Sequence, residues 1–230
     1  MKKVVAAVQS SYIPWKGYFD LIRAVDEFIL LDDAQFTKRD WRSRNRIKTP
    51  HGLLWLTIPV KVKGRFRQRI CDTEINDPSW KERHWKTIRH NHAQAQYFAT
   101  YHSFFEELYL GTTAQCLSQV NYRFVRAVCD LLGIRTRLVW SWDYGAVSSG
   151  TRRLVELCLR AGASEYLSGP RARSYLDEGA FRAAGIRVRY ASYDGYPEYK
   201  QLFPPFEHAV SVLDLIFNEG PDAVRYLKCL

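Results

Sequence analysis

The chain has 230 residues, 47% of them apolar, and a formal net charge of +10 at neutral pH. That length suits one domain or one domain with an insertion, and the apolar content supplies a sizeable core, which excludes a disordered or low-complexity chain. No apolar run approaches the roughly 18 residues of a membrane span, the five cysteines are scattered without a C-x-x-C pair, and no H-x-x-x-H pair occurs, so a membrane span, a disulfide framework and a zinc site are disfavoured.

The opening MKKVVAAVQSS has too few apolar residues for a signal peptide, so a soluble, cytoplasmic protein is expected. Val4–Val8 reads as a buried strand. Gly17–Val25 reads as a helix, with Tyr18, Leu21, Ile22 and Val25 on one face. Phe28–Leu31 is a second strand ending at Asp32-Asp33, and Leu53–Val60 a third. Lys61–Arg69, KVKGRFRQR, carries a basic residue at every odd position, and Gly64 suggests a basic hairpin. Helices are expected over Trp80–Tyr97, Tyr97–Leu110 and Thr112–Leu132, the last stopped by Gly133. Arg137–Trp142 is a strand, Arg152–Ala161 a helix, Glu165–Leu167 a strand, Tyr175–Ala184 a helix, Arg187–Tyr193 a strand and Val210–Phe217 the last helix.

Short apolar strands alternating with helices predict an α/β fold with a mainly parallel sheet covered on both faces. Residues 1–230 are expected to form a single α/β domain, with 61–132 inserted as the basic hairpin plus helices. Ligands of such sheets collect outside the carboxyl ends of the strands. Attention therefore falls on Gln9–Gly17, Asp32–Lys48, Ser141–Thr151, Ser168–Arg173 and Tyr193–Pro205.

The stretch QSSYIPWKGYFDLI, residues 9–22, crowds Tyr12, Trp15, Tyr18 and Phe19 around Pro14 and Gly17. A restricted loop of this kind stands its aromatics over the sheet edge, where they can stack on a ligand, and Gly17 lets the backbone approach it. The next loop, DDAQFTKRDWRSRNRIKT, holds Lys38, Arg39, Arg42, Arg44, Arg46 and Lys48 within eleven residues. With the basic hairpin it contains about a third of the 34 lysines and arginines. Guanidinium groups clamp phosphates or carboxylates, and anionic partners follow from the charge. Asp32 and Asp33 follow a strand, where a carboxylate can position an amine, act as general base or hold Mg²⁺; a turn or helix cap explains them as well. Ser168 and Gly169 open a turn that can cradle an anion, with Arg171 beside it; Pro170 at a first helical turn is an equally good structural account. Ser211, Asp214 and Asn218 share a face of the last helix and suggest a buried hydrogen-bond network. Cys116, Cys129 and Cys158 are expected as buried, inert thiols.

The segments QSSYIPWKGYFDLI, LDDAQFTKRDWRSRNRIKT, WLTIPV, HWKTIRHNHAQAQYF, YLSGPRARSYLD, PEYKQLF and SVLDLIFNEG, in this order, resemble the WbqC-like family over nearly the whole chain. In the fourth of these segments, the central helix, His92 stands where that family has tyrosine, and Gln96 where it has proline. The family occurs in bacterial surface-polysaccharide and secondary-metabolite gene clusters. The resemblance implies transfer of a glycyl or other acyl group to a sugar or small amine. Residues 14–22 are also similar in shape to the H-x-G-H segment of adenylyl-transferring Rossmann-like (nucleotidylyltransferase, HUP-like) folds, with Trp15 and Tyr18 in the places of the histidines. Ser168–Arg173 falls where their second phosphate-binding motif would come.

The expectation is a transferase that moves an acyl or aminoacyl group from an activated, phosphate-bearing donor, free or linked to a carrier or tRNA. Asp32, Asp33, Tyr18 and Tyr199 are its candidate catalytic residues. Gln9, Tyr12, Trp15, Gly17, Gln35, Arg39, Arg42, Asn45, Arg46, Lys48, Lys86, Ser168, Gly169, Arg171 and Gln201 are its candidate binding residues. No metal site is expected from the residues themselves, and a nucleotide such as ATP with Mg²⁺ stays open as a cofactor. An ATP-dependent ligase or nucleotidyltransferase, and a non-catalytic RNA-binding protein, stay open as alternatives. The oligomeric state is not legible.

Overall fold

The computed structural model describes residues 2–228. In chain order they form β1 (Val4–Val8), α1 (Lys16–Arg23), β2 (Glu27–Leu30), β3 (Arg44–Thr49), β4 (Gly52–Thr57), α2 (Trp80–His92), α3 (Phe98–Leu110), α4 (Leu117–Leu131), β5 (Arg137–Trp140), α5 (Gly150–Arg160), β6 (Glu165–Ser168), α6 (Glu178–Ala183), β7 (Arg187–Tyr190) and α7 (Val212–Glu219). Short 3-10 turns cover Ser141–Tyr144, Pro170–Ser174 and Gly220–Tyr226.

Five strands make one parallel sheet in the order β5-β2-β1-β6-β7. They are short and apolar because both faces are covered. Along β1, Ala6 enters a core with Phe19 and Ile22 of α1, Phe124 of α4 and Ile216 of α7. Val5 and Ala7 point the other way, to Leu157 of α5 and Phe181 of α6. The same alternation in β2 sends Phe28 and Leu30 to the first core and Ile29 to the second. The result is a Rossmann-like α/β sandwich, as the strand pattern predicts. Among the described residues no helix is long and apolar enough to cross a membrane.

The strand order creates the site. From β1 the chain builds outward through β2 to β5, then α5 carries it back across to β6, on the far side of β1. The loops after β1 and β6 therefore diverge, leaving a crevice at the carboxyl edge.

Three local expectations are corrected. Residues 44–48, taken as part of a loop, form β3, which pairs antiparallel with β4 as a separate two-stranded ribbon. Basic residues at alternate positions hide the period: Arg44 and Arg46 lie on one face, while Asn45 and Ile47 are buried on the other. The expected strand Leu53–Val60 is the partner strand of this ribbon, β4, and ends at Thr57. Lys61–Arg69 is not a hairpin but a pair of turns, and its flanks bridge elsewhere, Arg69 to Gln35 and Val60 to Ile75. The even positions, Val62, Gly64, Phe66 and Gln68, make too weak an apolar face to drive self-pairing. The third long helix begins at Leu117, because Cys116 is extended and bridges to Glu74.

Cys71, Cys116, Cys129 and Cys158 are free thiols, and Cys229 lies outside the described residues. Burial pushes Cys129 and Cys158 up to about 12, so both are unreactive.

Candidate functional site

A cavity of about 680 Å³ opens at the crevice between β1 and β6. Gln9 follows β1, Asp33 follows β2, Ser168 ends β6 and Gly169 follows it; Trp15, Tyr18, Tyr166 and Tyr193 supply the aromatic lining. A smaller chamber of about 350 Å³ adjoins it, sharing Trp15, Tyr18, Arg42, Arg171 and Tyr193 and adding Trp41 and Asn45.

Trp15 precedes α1 and folds back over it. A Cβ on Gly17 would lie 2.3 Å from Cζ2 of the Trp15 indole, so only glycine lets the ring rest there. The ring meets Tyr193 edge-on at 5.1 Å between centroids and Tyr196 at 5.7 Å. The Tyr18 hydroxyl donates to the Gln9 carbonyl at 3.1 Å, and burial pushes this phenol well above its ordinary range. It therefore serves as a donor and a wall.

The loop between Gln9 and Trp15 is held in a strained shape. Ile13 has φ +36°, rare for a β-branched residue. The Asn45 amide donates to both neighbouring carbonyls, Tyr12 at 3.1 Å and Ile13 at 2.8 Å. Arg42 braces the same loop, donating to the Gln9 carbonyl at 3.1 Å and to Ser11 Oγ at 3.3 Å. Its Nε has no hydrogen-bond partner and lies 3.6 Å from Asp40.

Asp32 and Asp33, neighbours in sequence, differ in role. Asp32 is fully buried and lines neither chamber; it accepts from the Ser10 amide at 2.8 Å and from Ser118 Oγ at 2.5 Å. Burial raises its pKa, and those bonds only partly oppose the shift. Asp33 reaches the cavity, with Ser141 Oγ at 2.6 Å on one oxygen and an ion pair to Arg153 on the other. It is the one carboxylate among the described lining residues, and among the described residues no cluster of His, Cys, Asp and Glu suits a metal ion.

The positive groups around the cavity are Arg42, Arg153 and Arg171. Gly150 and Thr151 bring the first turn of α5 to the same wall, and Ser149 at its N-cap makes no side-chain bond to these amides. The amides of a first helical turn and the helix dipole favour an anion there.

The fold thus brings Gln9, Trp15, Tyr18, Asp33, Arg42, Asn45, Ser168, Gly169 and Arg171 to the two chambers. The other named candidates line neither. Tyr12 is in the core, its hydroxyl 2.8 Å from His84 Nδ1 and 2.9 Å from the Tyr109 hydroxyl. Gly17 sits beneath Trp15. Lys48, Tyr199 and Gln201 form a separate buried network on Asp214: Tyr199 donates to its carboxylate at 2.8 Å, Gln201 at 2.8 Å, and Lys48 donates to Gln201 at 2.7 Å. Arg46 donates to the Ala209 carbonyl at 2.9 Å. Gln35 donates to the Phe66 carbonyl at 2.9 Å, Arg39 is exposed, and Lys86 is exposed on α2. Thr151 and Tyr193, inside two of the loops named from the strand ends, and Arg153, in the first turn of α5, lie at the site without having been singled out.

No solved structure matches the chain. The uncharacterized protein Rv1507c of Mycobacterium tuberculosis is 54% identical over 228 residues, which is 99% of this chain and 98% of that protein. Residues 9–226 match the WbqC-like protein family, a span that includes all the residues around both chambers except those at the end of β1, and the chain belongs to that family.

Proposed function

We propose that this protein is a transferase whose main cavity takes an activated, phosphate-bearing donor and passes its acyl or aminoacyl group to an amine or sugar hydroxyl. The observation that carries this reading is the charge balance of the cavity. Three guanidinium groups and the start of α5 surround it, and its single described carboxylate, Asp33, is already paired with Arg153. Such a wall attracts anions, and bidentate guanidinium contacts suit phosphate oxygens.

The donor's phosphate lies among Arg42, Arg153 and the first turn of α5. Its planar group stacks on Trp15 or Tyr193. The acceptor's nitrogen or oxygen attacks the donor carbonyl carbon. The bond from that carbon to the leaving oxygen breaks, and the acceptor's proton passes to Asp33, which returns it to the leaving group or to water. Ser168 and Gly169 line the cavity, and their amides support a carbonyl oxygen as it gains charge. Asp32 positions the strained loop through the Ser10 amide.

Thermal-shift and calorimetric titrations with ADP, ATP and inorganic pyrophosphate test the reading. Stabilisation that is lost in Arg153→Ala and Arg42→Ala supports it. No stabilisation by any phosphate-bearing compound overturns it. Exchange of pyrophosphate into ATP with a carboxylic acid would make the chain a ligase instead.

A further inference from the structure

The outer face of the β3–β4 ribbon carries a second feature that the cavity does not use. Trp41 and Trp55 have ring centroids 5.3 Å apart, and each remains about two-fifths exposed, at 39% and 40%. Arg44 lies 4.1 Å over the Trp55 ring, and Arg46 sits 5.5 Å from Trp55 and 5.6 Å from Trp41. Among the described residues, none of Arg39, Arg44 and Arg46 has a carboxylate within ion-pair distance. The Nε atoms of Arg44 and Arg46 have no hydrogen-bond partner either. Trp41 belongs to both places: it packs against Trp55 at a tilt of 38° outside and lines the smaller chamber inside.

We propose that this ribbon face is a stacking platform for single-stranded RNA, which leads the end of the strand past Trp41 into the smaller chamber. The proposal rests on the reading of the cavity as a donor site and specifies its donor as RNA-linked. Guanidinium groups with no carboxylate partner, beside exposed indoles, match a polyanion with planar bases. A neutral sugar would use the rings but not the charge. Bases stack on aromatic side chains whatever their sequence, and they must be unpaired to do so, which favours a single strand over a duplex. The vicinal hydroxyls of a terminal ribose, which activate a neighbouring ester, exist in RNA and not in DNA. The net charge of +10 adds long-range attraction.

Fluorescence anisotropy with a labelled single-stranded RNA of about eight nucleotides tests the platform. Wild-type protein should bind it with an affinity that falls steeply between about 50 and about 200 mM salt. Trp55→Ala should weaken binding about tenfold or more, as loss of one stacked base does. Arg44→Gln should lower the salt slope by about one. Trp55 is exposed and Arg44 half-buried on the outer face of the ribbon, so circular dichroism should be unchanged. RNA should also quench tryptophan fluorescence in the wild type and less so in Trp55→Ala. Equal affinity for wild type and both variants overturns the platform, as does tighter binding of an RNA duplex, of DNA of the same sequence or of maltohexaose. If the RNA fails to bind while ADP still stabilises the fold through Arg42, the platform falls and the cavity reading stands. If the RNA binds through Trp55 while no phosphate compound is sensed by Arg42 or Arg153, the platform stands and the cavity is not the donor site.

Discussion

Asp33 and Arg153 form an ion pair that ties the loop after β2 to the start of α5, at the wall of the main cavity. Both side chains are mostly shielded, 13% and 23% exposed, so the pair is more than a surface contact. In the proposed reaction, a phosphate arriving at α5 competes with Asp33 for the same guanidinium. Binding therefore frees the carboxylate that the proposed transfer needs.

Asp33→Asn and Arg153→Ala should separate binding from chemistry. Asp33→Asn removes the competing negative charge, so ADP should bind as well or more tightly, while transfer falls by about 10² or more with the loss of the base. Arg153→Ala leaves Asp33 unpaired beside the ligand, so ADP binding should fall about tenfold or more, in line with loss of a charge-assisted hydrogen bond. Calorimetry and steady-state rates read the two effects. Loss of ADP binding in Asp33→Asn would contradict this division of roles.

Asp32 makes the fold sensitive to pH in the opposite sense to most carboxylates. Its folded pKa is raised by burial, so its contribution is fully present below the unfolded value of about 4 and is lost as pH rises through the folded value. Asp32→Asn keeps an acceptor for the Ser10 amide and removes the buried charge. The variant should gain stability relative to wild type as pH rises above about 4. Asp32→Ala leaves the Ser10 amide buried without a partner and should cost about 1–3 kcal/mol. Urea titrations across this range check both outcomes.

His84 works from the other side. Burial lowers it to about 4, and its ring nitrogens face the Tyr12 hydroxyl and the Thr57 carbonyl. The unfolded chain takes up this proton near pH 6.5, so stability is full above that value and is lost as pH falls towards the folded value. At about 1.4 kcal/mol per tenfold change, the loss reaches about 3 kcal/mol. His84→Gln should flatten the acid limb of the stability curve. An unchanged limb would show that other groups cause it.

The parallel sheet was readable because its strands are apolar runs separated by helical patterns, as in VVAAV before α1 and RLVW after α4. β3 was not, since Arg44, Arg46 and Lys48 look like a solvated loop until Ile47 and Asn45 are known to face the core. The split between Asp32 and Asp33 was equally hidden. One residue decides it, because the chain leaves β2 and turns one carboxylate under Ser10 and the next toward Arg153. Arg153 itself was missed because its place depends on the crossover through α5, which no local pattern encodes. Tyr12 was misplaced in the opposite way. Its neighbours belong to the loop, but its hydroxyl finds Tyr109 and His84 in the helical layer.

Gly17 offers a test of how that loop is built. In an ordinary helix, replacing glycine by alanine gains up to about 1 kcal/mol. Here the added Cβ would fall within 2.3 Å of the Trp15 ring, so the indole must leave its place over α1. Gly17→Ala should instead destabilise the fold by about 1–3 kcal/mol, the usual cost of overpacking, and weaken ADP binding by removing a cavity wall. In a Trp15→Ala background the obstacle is gone, and the same Gly17→Ala change should become neutral or stabilising. Urea titration of the four variants closes the cycle. Additive effects of the two substitutions would mean that Trp15 does not rest on Gly17.

Asn45 is the residue on which the shape of the site depends most directly. It lies on β3, away from the sheet, yet its amide spans two consecutive carbonyls of the loop, Tyr12 and Ile13. The second belongs to the residue with φ +36°, a conformation that a β-branched side chain holds only when its surroundings impose it. Asn45→Ala removes both donors and leaves two buried carbonyls unpaired, at a cost of about 1–3 kcal/mol for each left without water. The loop then relaxes toward negative φ at Ile13, and Trp15, two residues on, moves with it. Stability and ligand binding should therefore fall together. Asn45→Asp is the sharper probe, since it fills the same space but offers no donor and places a carboxylate against two carbonyl oxygens; it should be at least as damaging as alanine. A hydrogen-exchange measurement on the Tyr12 amide, which donates to the Trp41 carbonyl at 3.0 Å, reports the loop locally. Faster exchange there in Asn45→Ala, with unchanged protection in the β1 strand, is the expected pattern. Undiminished protection at Tyr12 in both variants would show that Arg42 and the core hold the loop without Asn45.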